Sequence, residues 1–127
     1  MGTGMEKDLA EQIIDAAIEV HKHLGGPGLL ETVYESALCH ELALRGIQSQ
    51  RQLPIPVTYK SAAVRDPLFL DILVENQAIV EVKATGKDYP IYLVQLHTHL
   101  RLAGMKWGLL INFGKERVRE GVCRVSA

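Results

Sequence analysis

Apolar residues recur along the chain with two different periods, and the switches between them divide it into elements. Over residues 8–24, Ile13, Ile14, Ala17, Val20 and Leu24 return every three or four positions. That spacing predicts an amphipathic helix capped by Asp8. Gly25-Gly26-Pro27-Gly28 stops it. A second helix is expected from Leu29 to Leu44, burying Leu30, Val33, Tyr34, Ala37, Leu38 and Leu42, with Gly46 as its left-handed cap. From Ile47 to Tyr59 the pattern turns β-like, but Pro54 and Pro56 cannot donate to a ladder. This segment should therefore be an edge strand or a bent one. Phe69–Val74 and Ala78–Lys83 are two apolar runs around the turn residues Glu75-Asn76-Gln77, and together they predict a β-hairpin. A third helix is expected over Ile91–Leu102, after Pro90 and ending at Gly104. Lys106–Phe113 is too apolar to face water on either side, so it should be a buried strand. Val118–Val125 closes the chain as a strand with a bulge at Gly121. The order ααβββαββ describes an α/β fold, a mixed sheet flanked by helices.

Composition narrows the class. At 127 residues, 47% apolar and 23% charged, residues 5–127 fit a single globular domain. No apolar run approaches the roughly 18–20 residues that span a bilayer, and no signal-peptide pattern opens the chain. Cys39 and Cys123 lack metal-ligand spacing and read as buried thiols of a reducing compartment, which makes a cytoplasmic location the expectation. The net charge of −1 hides an asymmetry. Residues 1–82 carry six basic and twelve acidic side chains, and residues 83–127 carry eight basic and three acidic ones. If the basic segment forms one face, it offers a modest patch to a polyanion; otherwise it is a solvated edge. The same imbalance suggests a homodimer in which the basic half of one subunit meets the acidic half of another.

The charges inside the predicted hairpin change the picture most. Asp71 interrupts the first apolar run, and Glu81 and Lys83 interrupt the second. Side chains alternate across a strand, so Glu81 and Lys83 share a face, where an Asp on the neighbouring strand can meet them. Burying charge costs several kcal/mol per ion unless it is paired or bound to metal. Two readings compete. One is a salt-bridged edge hairpin with its charges in water. The other is a divalent-metal site, with hard oxygen ligands from Asp71 and Glu81 and Lys83 beside a metal-bound water. Asp71, nine residues, then Glu81-Val82-Lys83 is the signature spacing of the PD-(D/E)xK nucleases, but it is short.

Other polar residues add smaller signals. Glu31 lies at the border of the second helix's apolar stripe; it is either a first-turn carboxylate favoured by the helix dipole or one that reaches Asp71 and Glu81. Tyr34 should be core with its hydroxyl bonded. Gln95 and His99, at i and i+4, share a helix face, whereas His97 points to solvent. His21 and His23 diverge by about 160° and cannot share an ion, so His21 reads as a hydrogen-bonded border histidine. No Gly-rich phosphate loop, Ser-His-Asp arrangement or CxxC motif is present.

Gly28-Leu29-Leu30-Glu31-Thr32-Val33-Tyr34 matches the motif of the GxxExxY proteins. The resemblance continues through Pro54–Val57, Asp71–Val74, Ile79–Ala84, Gln95-Leu96 and Gly108–Phe113, covering about residues 12 to 125. That family resembles a small branch of the PD-(D/E)xK nuclease superfamily. The resemblance implies a restriction-endonuclease-like fold and a Mg²⁺- or Mn²⁺-dependent nuclease acting on DNA or RNA, as a homodimer or with a partner protein. It implies Asp71, Glu81 and the Val82 carbonyl as metal ligands, Glu31 as a helix-borne acidic ligand, and Lys83 beside the attacking water. Gln95 would begin the QxxxY element, in which His99 replaces the Tyr. The alternative is a catalytically silent nucleic-acid-binding or interaction module that keeps the fold.

Overall fold

The computed structural model describes residues 8–127. Helix α1 spans Leu9–His23, and Asp8 caps it by accepting the Glu11 N–H at 2.9 Å. Helix α2 spans Glu31–Leu44. Strands β1 (Ser49–Tyr59), β2 (Ala62–Val74) and β3 (Ala78–Lys83) follow. Then come α3 (Pro90–Ala103), β4 (Trp107–Asn112) and β5 (Val122–Ser126). The five strands form one sheet in the order β1-β2-β3-β4-β5, antiparallel throughout except that β3 and β4 run parallel. A parallel pair needs a crossover, and α3 supplies it.

The core has two layers, one on each face of the sheet. On one face, α1 and α2 bring Ile13, Ala17, Leu38 and Leu42 against Ile72, Val80, Val82 and Ile111. On the other, Leu96 and Leu100 of α3 pack on Leu70, Leu73, Ile79 and Leu110. β4 is therefore buried on both sides, as its unbroken apolar run requires. Its Gly108 lets β3 come close, because a Cβ there would stand 2.5 Å from the Ile79 carbonyl oxygen. Tyr34 is buried and stacks on Phe113 at 4.7 Å; its hydroxyl donates to the Gly26 carbonyl and accepts the Leu29 N–H. His21 is buried too, with Nε2 3.0 Å from the Lys115 carbonyl oxygen.

Several expectations need correction. Val118–Gly121 is a 3₁₀ turn, not strand and bulge, and β5 begins only at Val122. A Cβ at Gly121 would stand 2.3 Å from the Asn112 carbonyl oxygen, so the chain crosses the end of β4 there instead of pairing with it. β2 begins seven residues earlier than Phe69 and, with β1, extends as an arm exposed from Thr58 to Pro67. Backbone pairing with β1, not burial, makes that segment a strand, so hydrophobic pattern could not reveal it. Leu30 (75% exposed) and Val33 are not buried; the stripe of α2 is Tyr34, Glu35, Leu38 and Leu42. Cys39 and Cys123 are free thiols but only half-buried. Among the described residues, no helix is long and apolar enough to cross a membrane.

Candidate metal centre

The β2–β3 ladder ends at Ile72↔Val80. Beyond that point, two carboxylates take over the work of backbone carbonyls. Asp71 Oδ2 accepts the Val82 N–H at 2.8 Å, and Glu81 Oε2 accepts the Asp71 N–H at 3.1 Å. This reciprocal clasp puts the Asp71 and Glu81 carboxylates side by side. Glu81 is only 4% exposed. Its other oxygen lies 3.1 Å from Nδ1 of His99 on α3, a nitrogen that is buried without a well-formed hydrogen bond.

Helix α2 approaches from the opposite layer and brings Glu31, in its first turn, into the electrostatic field of Glu81 and Lys83. Burial raises the Glu31 pKa, opposed by Lys83 and reinforced by Glu35 and Glu81. Asp71 is affected more: burial and then the Glu81 charge push its carboxyl up to about 7, with Glu35 and Glu31 adding to the rise. Lys83, at the end of β3, rests its ammonium over the Tyr92 ring at 4.6 Å, a cation–π contact that holds the charge on the α3 side. Gln95 is exposed on α3. Val82 is fully buried in the sheet.

Two participants escape a reading of hydrophobic pattern. Glu35 is 2% exposed and lies close enough to raise the pKa of both Glu31 and Asp71. Its position four residues after Glu31 puts both on one helix face, which was the available signal. Asn112 is 1% exposed at the end of β4, opposite Lys83. Its side-chain Oδ1 accepts the Thr85 and Gly114 N–H groups, and its side-chain Nδ2 donates to Asp88, fixing the turn that leaves Lys83. A lone Asn between Ile111 and Phe113 was the signal for it.

The donor chemistry fits a hard divalent cation. All the acidic donors are carboxylate oxygens, they crowd one another, and the clasp leaves each carboxylate lone pairs to offer. Among the described residues, no three His, Cys, Asp or Glu side chains close into a ready-made cage. The reason is visible in the contacts: Asp71 and Glu81 are turned onto backbone N–H groups, and Glu35 onto side-chain donors. A surface groove of about 1030 Å³ runs past Cys39, His40, Ser49 and Arg51, and none of Glu31, Glu35, Asp71 and Glu81 lines it.

Comparison with known proteins bears on the fold and the family. No curated protein sequence matches the chain. The crystal structure of an alkaline exonuclease from Laribacter hongkongensis superposes with a TM-score of 0.51, covering 96% of this chain and 72% of that one at 16% identity. At that identity the likeness establishes the fold alone. The sequence profile of the PD-(D/E)XK nuclease superfamily matches residues 7–125. Since that match spans nearly the whole chain and contains the Asp71, Glu81 and Lys83 spacing, the chain belongs to the PD-(D/E)XK nuclease superfamily.

Proposed function

We propose that the protein is a Mg²⁺- or Mn²⁺-dependent nuclease of the GxxExxY branch, hydrolysing phosphodiester bonds of DNA or RNA. The observation that carries this reading is the crowding of Asp71, Glu81 and Glu31 around the end of the β2–β3 ladder, with a single lysine alongside. Carboxylates this close, some with raised pKa values, mark a site built for a counter-charge. Bound there, a divalent ion supplies Lewis-acid polarisation of the phosphate and a more acidic water.

The chain's own residues divide the rest of the task. Asp71 and Glu81 offer carboxylate ligands, the Val82 carbonyl a neutral one, and Glu31 a further carboxylate from α2. His99 orients Glu81 from the α3 side. Lys83 has no lone pair while charged, so it acts on the attacking water or on the developing phosphorane charge. Gln95 is left to meet a phosphate at the surface of α3. Free half-buried thiols at Cys39 and Cys123 suit a reducing cytoplasm.

One observation favours the silent-module alternative. Arg119 pairs with Glu11 and Asp15, Arg124 with Asp8, and Lys115 with Asp88, so part of the basic C-terminal charge is neutralised within the chain. That weakens the charge argument for a homodimer. It also reduces the positive surface available for gripping a polyanion without a partner.

The test is incubation with single- and double-stranded DNA and RNA, in Mg²⁺, Mn²⁺ or chelator. Metal-dependent cleavage that disappears in Asp71→Asn and Glu81→Gln is the expected result. Metal binding with no cleavage of any substrate would transfer the case to the silent module.

A further inference from the structure

Glu35 is a charge that the roles above leave unused. It is 2% exposed, on α2, and its negative charge acts on both Glu31 and Asp71. Its closest partner is neutral: the Gln52 amide nitrogen donates to both Glu35 oxygens, at 2.8 and 3.2 Å. Arg51 is more distant, at 3.4 Å, and its side chain is 40% exposed. This choice of partner matters. An arginine or lysine held tightly against Glu35 would cancel its field. A glutamine amide lowers the cost of burying the carboxylate and leaves that field in place.

The backbone gives up comfort to make this contact. Gln52 has φ +53°, a left-handed conformation that non-glycine residues adopt at a cost. It falls in the register between Arg51↔Ile72 and Leu53↔Leu70, which places it opposite Asp71. The strained residue of β1 and the central carboxylate of β2 therefore occupy one cross-strand position, and from there Gln52 reaches Glu35.

We propose that Glu35 is a positioning residue of the cation centre: fixed by the Gln52 amide beside Glu31 and Asp71, it supplies negative potential that tightens divalent-ion binding without ligating the ion. The inference rests on the metal-dependent reading above and adds to it a residue and a clamp. A merely structural Glu35 would stabilise the apo protein. A field-supplying Glu35 has the opposite signature, because in the apo protein it repels its neighbours.

The experiment is calorimetric titration of Mn²⁺, together with apo melting curves, for wild type, Glu35→Gln, Gln52→Gly and Asp71→Asn. Glu35→Gln is expected to weaken Mn²⁺ binding about tenfold at low salt, and less at high salt, while the apo melting temperature stays level or rises. Gln52→Gly keeps Glu35 and suits the left-handed backbone, so it carries the test if Glu35→Gln does not fold; a loss of about threefold is expected. Wild-type affinity in both variants, with Asp71→Asn binding lost, overturns the inference alone. So does a Glu35→Gln protein that melts lower but binds Mn²⁺ like wild type. A wild type that binds no Mn²⁺ overturns the metal reading and this inference with it.

Discussion

Asp71 concentrates the physics of the site in one carboxyl. Its pKa stands at about 7, raised first by burial and then by Glu81. The unfolded chain holds that proton only up to about pH 4. Between the two values the folded protein binds more protons than the unfolded one, so stability falls as pH rises through that window. The metal-free protein should accordingly melt higher at pH 5 than at pH 8, and Asp71→Asn should shrink the difference in a pH series of melting curves. A cation competes with the same proton, so Mn²⁺ affinity should climb with pH and level off above about 7. Lys83 belongs to the same scale. With its ammonium over Tyr92, it would neighbour an ion held by the carboxylates rather than ligate it. Lys83→Ala should leave calorimetric metal binding nearly intact and slow metal-dependent cleavage by roughly 10²–10³. Equal rates for the two proteins would place the chemistry elsewhere.

At the scale of elements, the site exists because a ladder stops early. β2 and β3 exchange backbone bonds only as far as Ile72 and Val80, and the carboxylates of Asp71 and Glu81 then take the N–H groups of Val82 and Asp71. Leu70 and Leu73, three apart, both pack against α3, so strict alternation fails at Asp71 itself. The other end of the arrangement is held by Asn112, whose side chain ties β4 to the turn after Lys83. Asn112→Ala would strand the Thr85 and Gly114 N–H groups. A destabilisation of about 2–3 kcal/mol in denaturant titration is expected, with Lys83 less well fixed. A cost below about 0.5 kcal/mol would mean that water replaces those bonds easily.

Across the whole molecule, two layers arrive at the site from opposite faces of one sheet. α2 contributes Glu31 and Glu35, and α3 contributes His99 and the Tyr92 platform under Lys83. A divalent ion held by the carboxylates would stabilise only the folded chain, so Mg²⁺ or Mn²⁺ at millimolar concentration should raise the melting temperature by linkage. Asp71→Asn should abolish that rise, while melting in the metal-free state changes by much less. No rise in the wild type at any concentration up to tens of millimolar would remove the cation centre from the account. Part of the charge at this scale works inward: Arg119 and Arg124 lie within 4.0 Å of acidic residues at the start of α1 and its cap.

The sequence by itself determined most of the elements and singled out the residues proposed for the cation centre. Periodicity located all three helices, the central strand β4 and the β2–β3 turn, because burial of one stripe or one strand is a local demand that each segment writes into its own residues. The Asp71, Glu81 and Lys83 spacing was legible for the same reason: charge inside apolar strands stands out against what surrounds it. Only the tertiary structure decided what depends on distant partners. Ala62–Leu68 is a strand because β1 pairs with it, and Val118–Gly121 turns because it crosses the end of β4. Glu35 lies inside and Leu30 outside because the sheet and Gln52, not the helix pattern, set the roll of α2. His99 meets Glu81 through packing between α3 and β3, elements whose order along the chain says nothing of side-chain reach. A local pattern records which face is buried. It does not record which carboxylates burial will bring together, because that sum is taken over the whole fold.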